Sequence, residues 1–79
     1  MQKNSVVWTQ DSCQYCEMVK SILKRAGYTI EEKKIDGITV TKKDLFNILP
    51  SVRSVPQVFI NNNHIGGYKE VRAYLDDHI

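Results

Sequence analysis

Near the start of the chain the spacing of apolar residues changes abruptly. Ser5-Val6-Val7-Trp8-Thr9 is an unbroken β-rich run, which suits a strand buried on both faces. Gln10-Asp11-Ser12 interrupts it, and from Cys13 the pattern is helical. Cys16, Val19, Leu23 and Ala26 fall on one helical face with Ile22 beside them, while Lys20, Lys24 and Arg25 take the other side. Gly27 supplies a C′ stop. Tyr28 to Asp36 reads as a weaker strand. Its charged centre, Glu31-Glu32-Lys33-Lys34, suits a sheet edge that must refuse foreign strands. Strand, helix and strand in this order imply a parallel pair joined by a right-handed crossover.

After a turn at Gly37, Thr41 with Asp44 three residues later resembles a capping box with a shortened acid. It opens a short helix whose apolar face is Leu45, Ile48 and Leu49, stopped by Pro50. Ser51 to Pro56 is an extended loop. Gln57-Val58-Phe59-Ile60 is the second strongly buried strand, Asn61-Asn62-Asn63 a hairpin turn, and His64-Ile65 the answering strand. Gly66-Gly67 turns into a last helix with Val71, Tyr74, Leu75 and Ile79 as its buried stripe. The order is β-α-β-α-β-β-α, an α/β chain. With 79 residues it makes one domain, 1–79, with no room for a second core.

Charge excludes more than it suggests. Eleven basic and nine acidic residues are intermixed, with a formal net charge of +2. A nucleic-acid partner would call for a Lys/Arg stripe interleaved with aromatics, and none is present. No apolar run is long enough to span a membrane, and the first residues do not read as a signal peptide. The cytoplasm is the expected compartment, where structural disulfides are rare. The two cysteines, Cys13 and Cys16, would close too small a loop to stabilise the fold.

Their position suggests chemistry instead. Cys13-Gln14-Tyr15-Cys16 sits where the first strand gives way to the first helix, and a C-x-x-C beside a βαβ pattern reads as a redox pair. The first Cys is placed at the helix N-terminus, among outward-pointing backbone N–H groups. The second lies one turn deeper, within reach of a bond formed at the first. Cys13 is therefore the expected nucleophile and Cys16 the resolving thiol. The helix dipole, worth up to ~2 kcal/mol, lowers a thiol pKa by at most about 1.5. No Lys, Arg or His lies within six residues of Cys13, so any deeper effect must come from hydrogen bonds to the thiolate. A structural zinc site needs four ligands, and His64 and His78 are poorly spaced to complete one, so no metal is expected.

Three motifs in order resemble the glutaredoxins, in particular the small dithiol bacterial and phage forms. Cys13-Gln14-Tyr15-Cys16 is similar to the family's C-P-Y-C, Ser54-Val55-Pro56 to its T-V-P, and Gly66-Gly67-Tyr68 to the turn before its last helix. The resemblance implies a thioredoxin-like fold with a four-stranded mixed sheet and three helices, and a cis peptide before Pro56. It implies a glutathione-dependent thiol–disulfide oxidoreductase with glutathione as cosubstrate, no tightly bound cofactor and a monomeric state. The partners implied are disulfide-containing or glutathionylated proteins. Ribonucleotide reductase is a common family client, but no residue here selects it.

By the same resemblance, Ser54, Val55 and Pro56 border glutathione, with the Val55 backbone pairing its cysteinyl part. Gly67 and Tyr68 hold its γ-glutamyl carboxylate, Glu70 its ammonium, and Tyr15 flanks the bound sulfur. Lys69 occupies a place where the family often has an acid. Gln10 stands where many members carry Lys or Arg for the glycyl carboxylate, and Arg53 is the candidate to supply that charge. Gln14 replaces a proline and restores a backbone donor. Two alternatives stay open. A redoxin reduced by thioredoxin reductase is favoured by Gln10 and opposed by the Gly-Gly turn and Glu70. A glutathione-assisted iron–sulfur cluster binder is suggested by Gln14 and opposed by the presence of Cys16.

Overall fold

A computed structural model describes residues 3–77. The elements are β1 (Asn4–Gln10), α1 (Gln14–Arg25), β2 (Thr29–Ile35), α2 (Lys42–Ile48), β3 (Gln57–Ile60), β4 (Asn63–Gly66) and α3 (Tyr68–Asp77). The four strands form one sheet in the order β2-β1-β3-β4. β1 runs parallel to β2 and antiparallel to β3, and β3 pairs antiparallel with β4. This mixed sheet with three helices is the thioredoxin-like arrangement the motifs implied. The charged strand β2 stands at the edge, where its composition suits it.

Register explains which residues meet. Val7 lies opposite Glu32 on one side and Val58 on the other. Alternation then puts Ser5, Val7 and Thr9 on one face of β1, together with Ile30, Glu32 and Lys34 of β2. That face carries the core: Val7, Val58 and Ile60 pack with Val19 and Leu23 of α1 and Val71 of α3. Tyr74 and Leu75 complete the α3 stripe as half-buried side chains. Ile79, expected to extend it, and His78 lie outside the described residues. The buried polar side chains on the core face are satisfied: the Ser5 hydroxyl donates to the Thr29 carbonyl at 2.7 Å and the Thr9 hydroxyl to Glu32 at 2.6 Å.

Local signals mostly act as read. Thr41 and Asp44 form a reciprocal capping box at the start of α2. Asn61 and Asn62 take positive φ values of 49° and 70°, the pair a tight primed hairpin turn requires. The apolar face of α2 is a correction. Ile48 is 54% exposed, whereas Leu45 is buried and Phe46 and Leu49 are half-buried. At about 100° per residue, Leu45, Leu49 and Phe46 span one arc and Ile48 falls outside it. Ile48 is the last residue of this seven-residue helix. Among the described residues no helix is long and apolar enough to cross a membrane.

Candidate active site

The junction of β1 and α1 is made by two unusual backbone positions. Ser12 takes a left-handed φ of 56°, and Cys13 then caps α1 in an extended conformation. Its sulfur accepts the Cys16 backbone N–H at 3.2 Å, filling one of the donors every helix leaves open at its start. The Cα atoms of Cys13 and Cys16 are 5.3 Å apart and the two residues are joined as a disulfide, so this is the oxidised form. The pair is asymmetric. Cys16 is 0% exposed and belongs to the buried face of α1, whereas Cys13 is partly open to solvent. An incoming thiolate can reach Cys13 and not Cys16.

The loop before β3 forms one wall. The Cys13 sulfur lies 3.9 Å from the Val55 carbonyl oxygen, and the Val55–Pro56 peptide is cis. Gln57, unremarked in the sequence, anchors this loop. Its amide nitrogen donates to the Ser54 carbonyl at 2.9 Å, and its oxygen lies within hydrogen-bond distance of His64 Nε2 at 2.8 Å. The signal was available: a polar residue at the first position of a strand with an otherwise apolar sequence.

The start of α3 forms the next wall. Gly66 has φ 133°, a conformation side chains disfavour. A Cβ on Gly67 would come within 3.3 Å of the Pro56 carbonyl, so glycine there lets α3 approach the cis-proline loop. The Gly67 N–H donates to the Glu70 carboxylate at 2.8 Å. Glu70 thus caps its own helix, which leaves one carboxylate oxygen outside that bond. The Tyr68 ring stacks obliquely on Tyr15 at 5.7 Å, and Tyr15 is 59% exposed beside the cysteines. Tyr15, Val55, Pro56, Gly67 and Tyr68 are therefore linked around Cys13 through these contacts.

Gln10 and Arg53 meet in a separate cleft of about 220 Å³ that also includes Ser54, Val55 and Lys42. The Arg53 guanidinium is turned onto its own loop, donating to the Pro50 and Val52 carbonyls at 3.0 and 2.9 Å, with the Phe46 ring 5.5 Å away. Lys42 brings a second cation to the same cleft. It was missed in the sequence because α2 had to be placed against Gln10 before its first turn gained any meaning.

On the opposite flank Cys13 borders a groove of about 510 Å³ between α1 and β2, with Gln14 on its rim. The absence of cations near Cys13 in sequence does not survive folding, because Lys20 and Lys34 both line this groove. Lys20 bridges Glu17 at 2.8 Å and Glu32 at 3.1 Å, and Lys34 pairs with Asp11 at 2.6 Å. The Thr9 hydroxyl, then Lys20, hold the Glu32 carboxyl below the usual range, while burial works against them. The Lys20 ammonium is pushed up, first by Glu17 and also by Glu32. Lys20 lies two helical turns from Cys13, roughly 10 Å along the axis, so its field at the sulfur is largely screened.

Comparison with known proteins agrees with this geometry. The glutaredoxin family model matches residues 5–65. Glutaredoxin 3 of Escherichia coli is 35% identical over 71 residues, covering 89% of this chain and 83% of its own length. The crystal structure of glutaredoxin 1 from Francisella tularensis superposes with a TM-score of 0.81 over 96% of this chain and 95% of its own, at 24% identity, which speaks for the fold. A buckwheat glutaredoxin–glutathione complex gives a TM-score of 0.80 at 28% identity, over 96% of this chain and 71% of its own. The Cys13–Cys16 pair, its place at the α1 cap and these likenesses agree: the chain belongs to the glutaredoxin family of thiol–disulfide oxidoreductases.

Proposed function

We propose that this protein reduces protein disulfides in a dithiol cycle, with Cys13 as nucleophile, Cys16 as resolving thiol and glutathione as reductant, and glutathione mixed disulfides through Cys13 alone. The observation that carries the role split is the difference in exposure between the two sulfurs, with Cys16 wholly buried. A Cys13 thiolate attacks one sulfur of a substrate disulfide; that S–S bond breaks, and the other sulfur leaves as a thiolate that takes a proton from solvent. The Cys16 thiolate then attacks the Cys13 sulfur, frees the remaining substrate thiol and leaves the Cys13–Cys16 disulfide. A glutathione thiolate attacks Cys13 and expels Cys16. A second glutathione attacks the bound glutathione sulfur, and oxidised glutathione departs. The Cys16 N–H on the Cys13 sulfur supports the thiolate in both of its appearances.

Glutathione is an extended tripeptide with an anionic group at each end. In this reading its cysteinyl backbone pairs with Val55, next to the Cys13 sulfur, bordered by Ser54 and Pro56. Its γ-glutamyl end meets Gly67, Tyr68 and Glu70, and Tyr15 and Tyr68 cover its sulfur. Its glycyl carboxylate enters the cleft of Gln10, Arg53 and Lys42. The two cations of that cleft offset the neutral Gln10 and support glutathione over thioredoxin reductase as the source of electrons. The protein acts as a monomer in the cytoplasm and keeps no tightly bound cofactor.

The test is an assay coupling glutathione, glutathione reductase and NADPH to a small mixed-disulfide substrate. Steady NADPH oxidation that needs both glutathione and Cys13 is the expected result. Turnover that ignores glutathione but proceeds with thioredoxin reductase would overturn the reading.

A further inference from the structure

The reactive sulfur stands between two recesses of opposite electrical character. Cys13 follows β1, and β1 has β2 on one side and β3 on the other. Against α2, the cleft beside Val55 runs from Gln10 and Ile35 to Lys42 and Arg53, with no acid among the described residues that line it. Against α1, the groove that Cys13 itself borders holds Asp11, Glu17 and Glu32 with Lys20 and Lys34, a net charge of −1 in a chain of net +2. That groove continues along the seam of α1 and β2, where Glu17, Lys20 and Glu32 also line its extension toward Lys24.

The charges of the groove are not equivalent. Lys20 is held between two carboxylates, so its ammonium is already neutralised. The carboxylates at the end nearest Cys13 face water: the side chains of Asp11 and Glu17 are 81% and 73% exposed. Asp11 is paired with Lys34 and Glu17 with Lys20, so what the groove offers a visiting chain is its one carboxylate in excess of lysines, carried on exposed side chains.

We infer that the α1–β2 groove receives the protein part of the substrate, and that it selects cysteines flanked by Lys or Arg. The inference rests on the proposed glutathione site, because it places the two halves of a glutathionylated protein on opposite flanks of Cys13. The anionic tripeptide is drawn to Lys42 and Arg53, and the basic polypeptide segment to Asp11 and Glu17. Charge alone then orients the disulfide so that the glutathione sulfur, rather than the protein sulfur, meets Cys13. In the step itself the Cys13–glutathione bond forms, the glutathione–protein bond breaks, and the protein sulfur leaves as a thiolate into the groove side, where solvent protonates it. Complementary charges of this exposed kind act mostly on encounter and fade with salt.

The experiment uses two short peptides, each with one glutathionylated cysteine, flanked by Lys in one and by Glu in the other. The full chain is assayed with glutathione, glutathione reductase and NADPH, beside a small uncharged mixed disulfide. A kcat/KM ratio of roughly threefold to tenfold in favour of the Lys peptide is expected at low ionic strength, falling toward one at high salt. In the double variant Asp11→Asn, Glu17→Gln the ratio itself should collapse toward one. Equal rates for the two peptides in the native chain, a preference for Glu, or a preference that persists in the double variant would each overturn the inference. Should the double variant not fold, the native ratio and its salt dependence still decide. Failure to turn over the small uncharged disulfide would instead overturn the glutathione reading and this inference with it.

Discussion

Replacing Thr9 by Val tests whether the Glu32 carboxylate is held by hydrogen bonding or only sits in a charged neighbourhood. The two side chains have nearly the same shape, and Thr9 is 1% exposed, so the change removes one hydroxyl from a buried position without opening a cavity. What is lost is a 2.6 Å O–H···O bond to a carboxylate, a length typical of charge-assisted bonds. Such bonds contribute roughly 1.5–3 kcal/mol. Glu32 keeps Lys20 as a partner and its side chain is 36% exposed, so water replaces part of the loss. A net cost of about 1 kcal/mol at pH 7 follows, which lowers Tm by roughly 4–8 °C in a domain of this size. The pH dependence is the sharper readout. Folding depresses the Glu32 pKa below its ordinary value of 4.5, chiefly through Thr9. Its contribution is therefore complete above about 4.5 and is lost as pH falls through the folded value. Urea unfolding of the native and Thr9→Val proteins, both with the disulfide closed, should show a gap at pH 7 that narrows on acidification through that window. Thr9→Ser, which keeps the hydroxyl, should keep the pH dependence. A gap that is the same at pH 7 and below pH 3 would mean the cost is packing and would refute the hydrogen-bond argument.

Three further expectations concern the site. Cys16→Ser should retain reduction of glutathione mixed disulfides and lose reduction of protein disulfides, measured with one substrate of each kind; equal loss of both would contradict the role split. Gln10→Lys adds a cation to the cleft of Lys42 and Arg53, so the KM for glutathione should fall by about 1.5-fold to fivefold, the effect of one exposed charge. The Cys13 thiol should also ionise at lower pH, followed by the ultraviolet absorbance of the thiolate; an unchanged titration would remove the electrostatic part of that expectation. Lys42→Gln should raise the KM for glutathione by a similar factor in titrations of initial rate, and a fall in kcat with KM unmoved would place Lys42 outside the glutathione site.

Much of the architecture was legible because its signals are local. The switch from an unbroken β-rich run to a 3.6-residue spacing across Gln10-Asp11-Ser12 marks the end of β1, and the two asparagines with positive φ mark the hairpin. The C-x-x-C needs no more than its own spacing to place one sulfur at a helix start and the other a turn deeper. Ile48 was misplaced because a seven-residue helix offers too few positions for periodicity to define a face, so Phe46 turned inward instead. Gln57 escaped because it braces a loop through two bonds, a local one to Ser54 and one to His64 that only the β3–β4 hairpin brings within reach.

The electrostatics of the site were not legible for a deeper reason. The run Glu31-Glu32-Lys33-Lys34 reads correctly as an edge strand, yet pleating divides it between two faces. Glu31 and Lys33 pair with each other on the side away from the core, which is the solvated role the composition suggests. Glu32 and Lys34 project to the side of α1 and line the groove bordered by Cys13. Which two residues go where depends on the parallel register that sets Thr9 against Lys34, and a slip of one residue would exchange the pairs. Such a slip would also put Glu31 and Lys33 against α1 in place of Ile30, Glu32 and Lys34, losing the burial of Ile30 and the bond from Thr9. The same contacts that hold the register thus determine which charges surround the reactive sulfur. In this fold the edge strand and the flank of the active site are built from alternate residues of one segment.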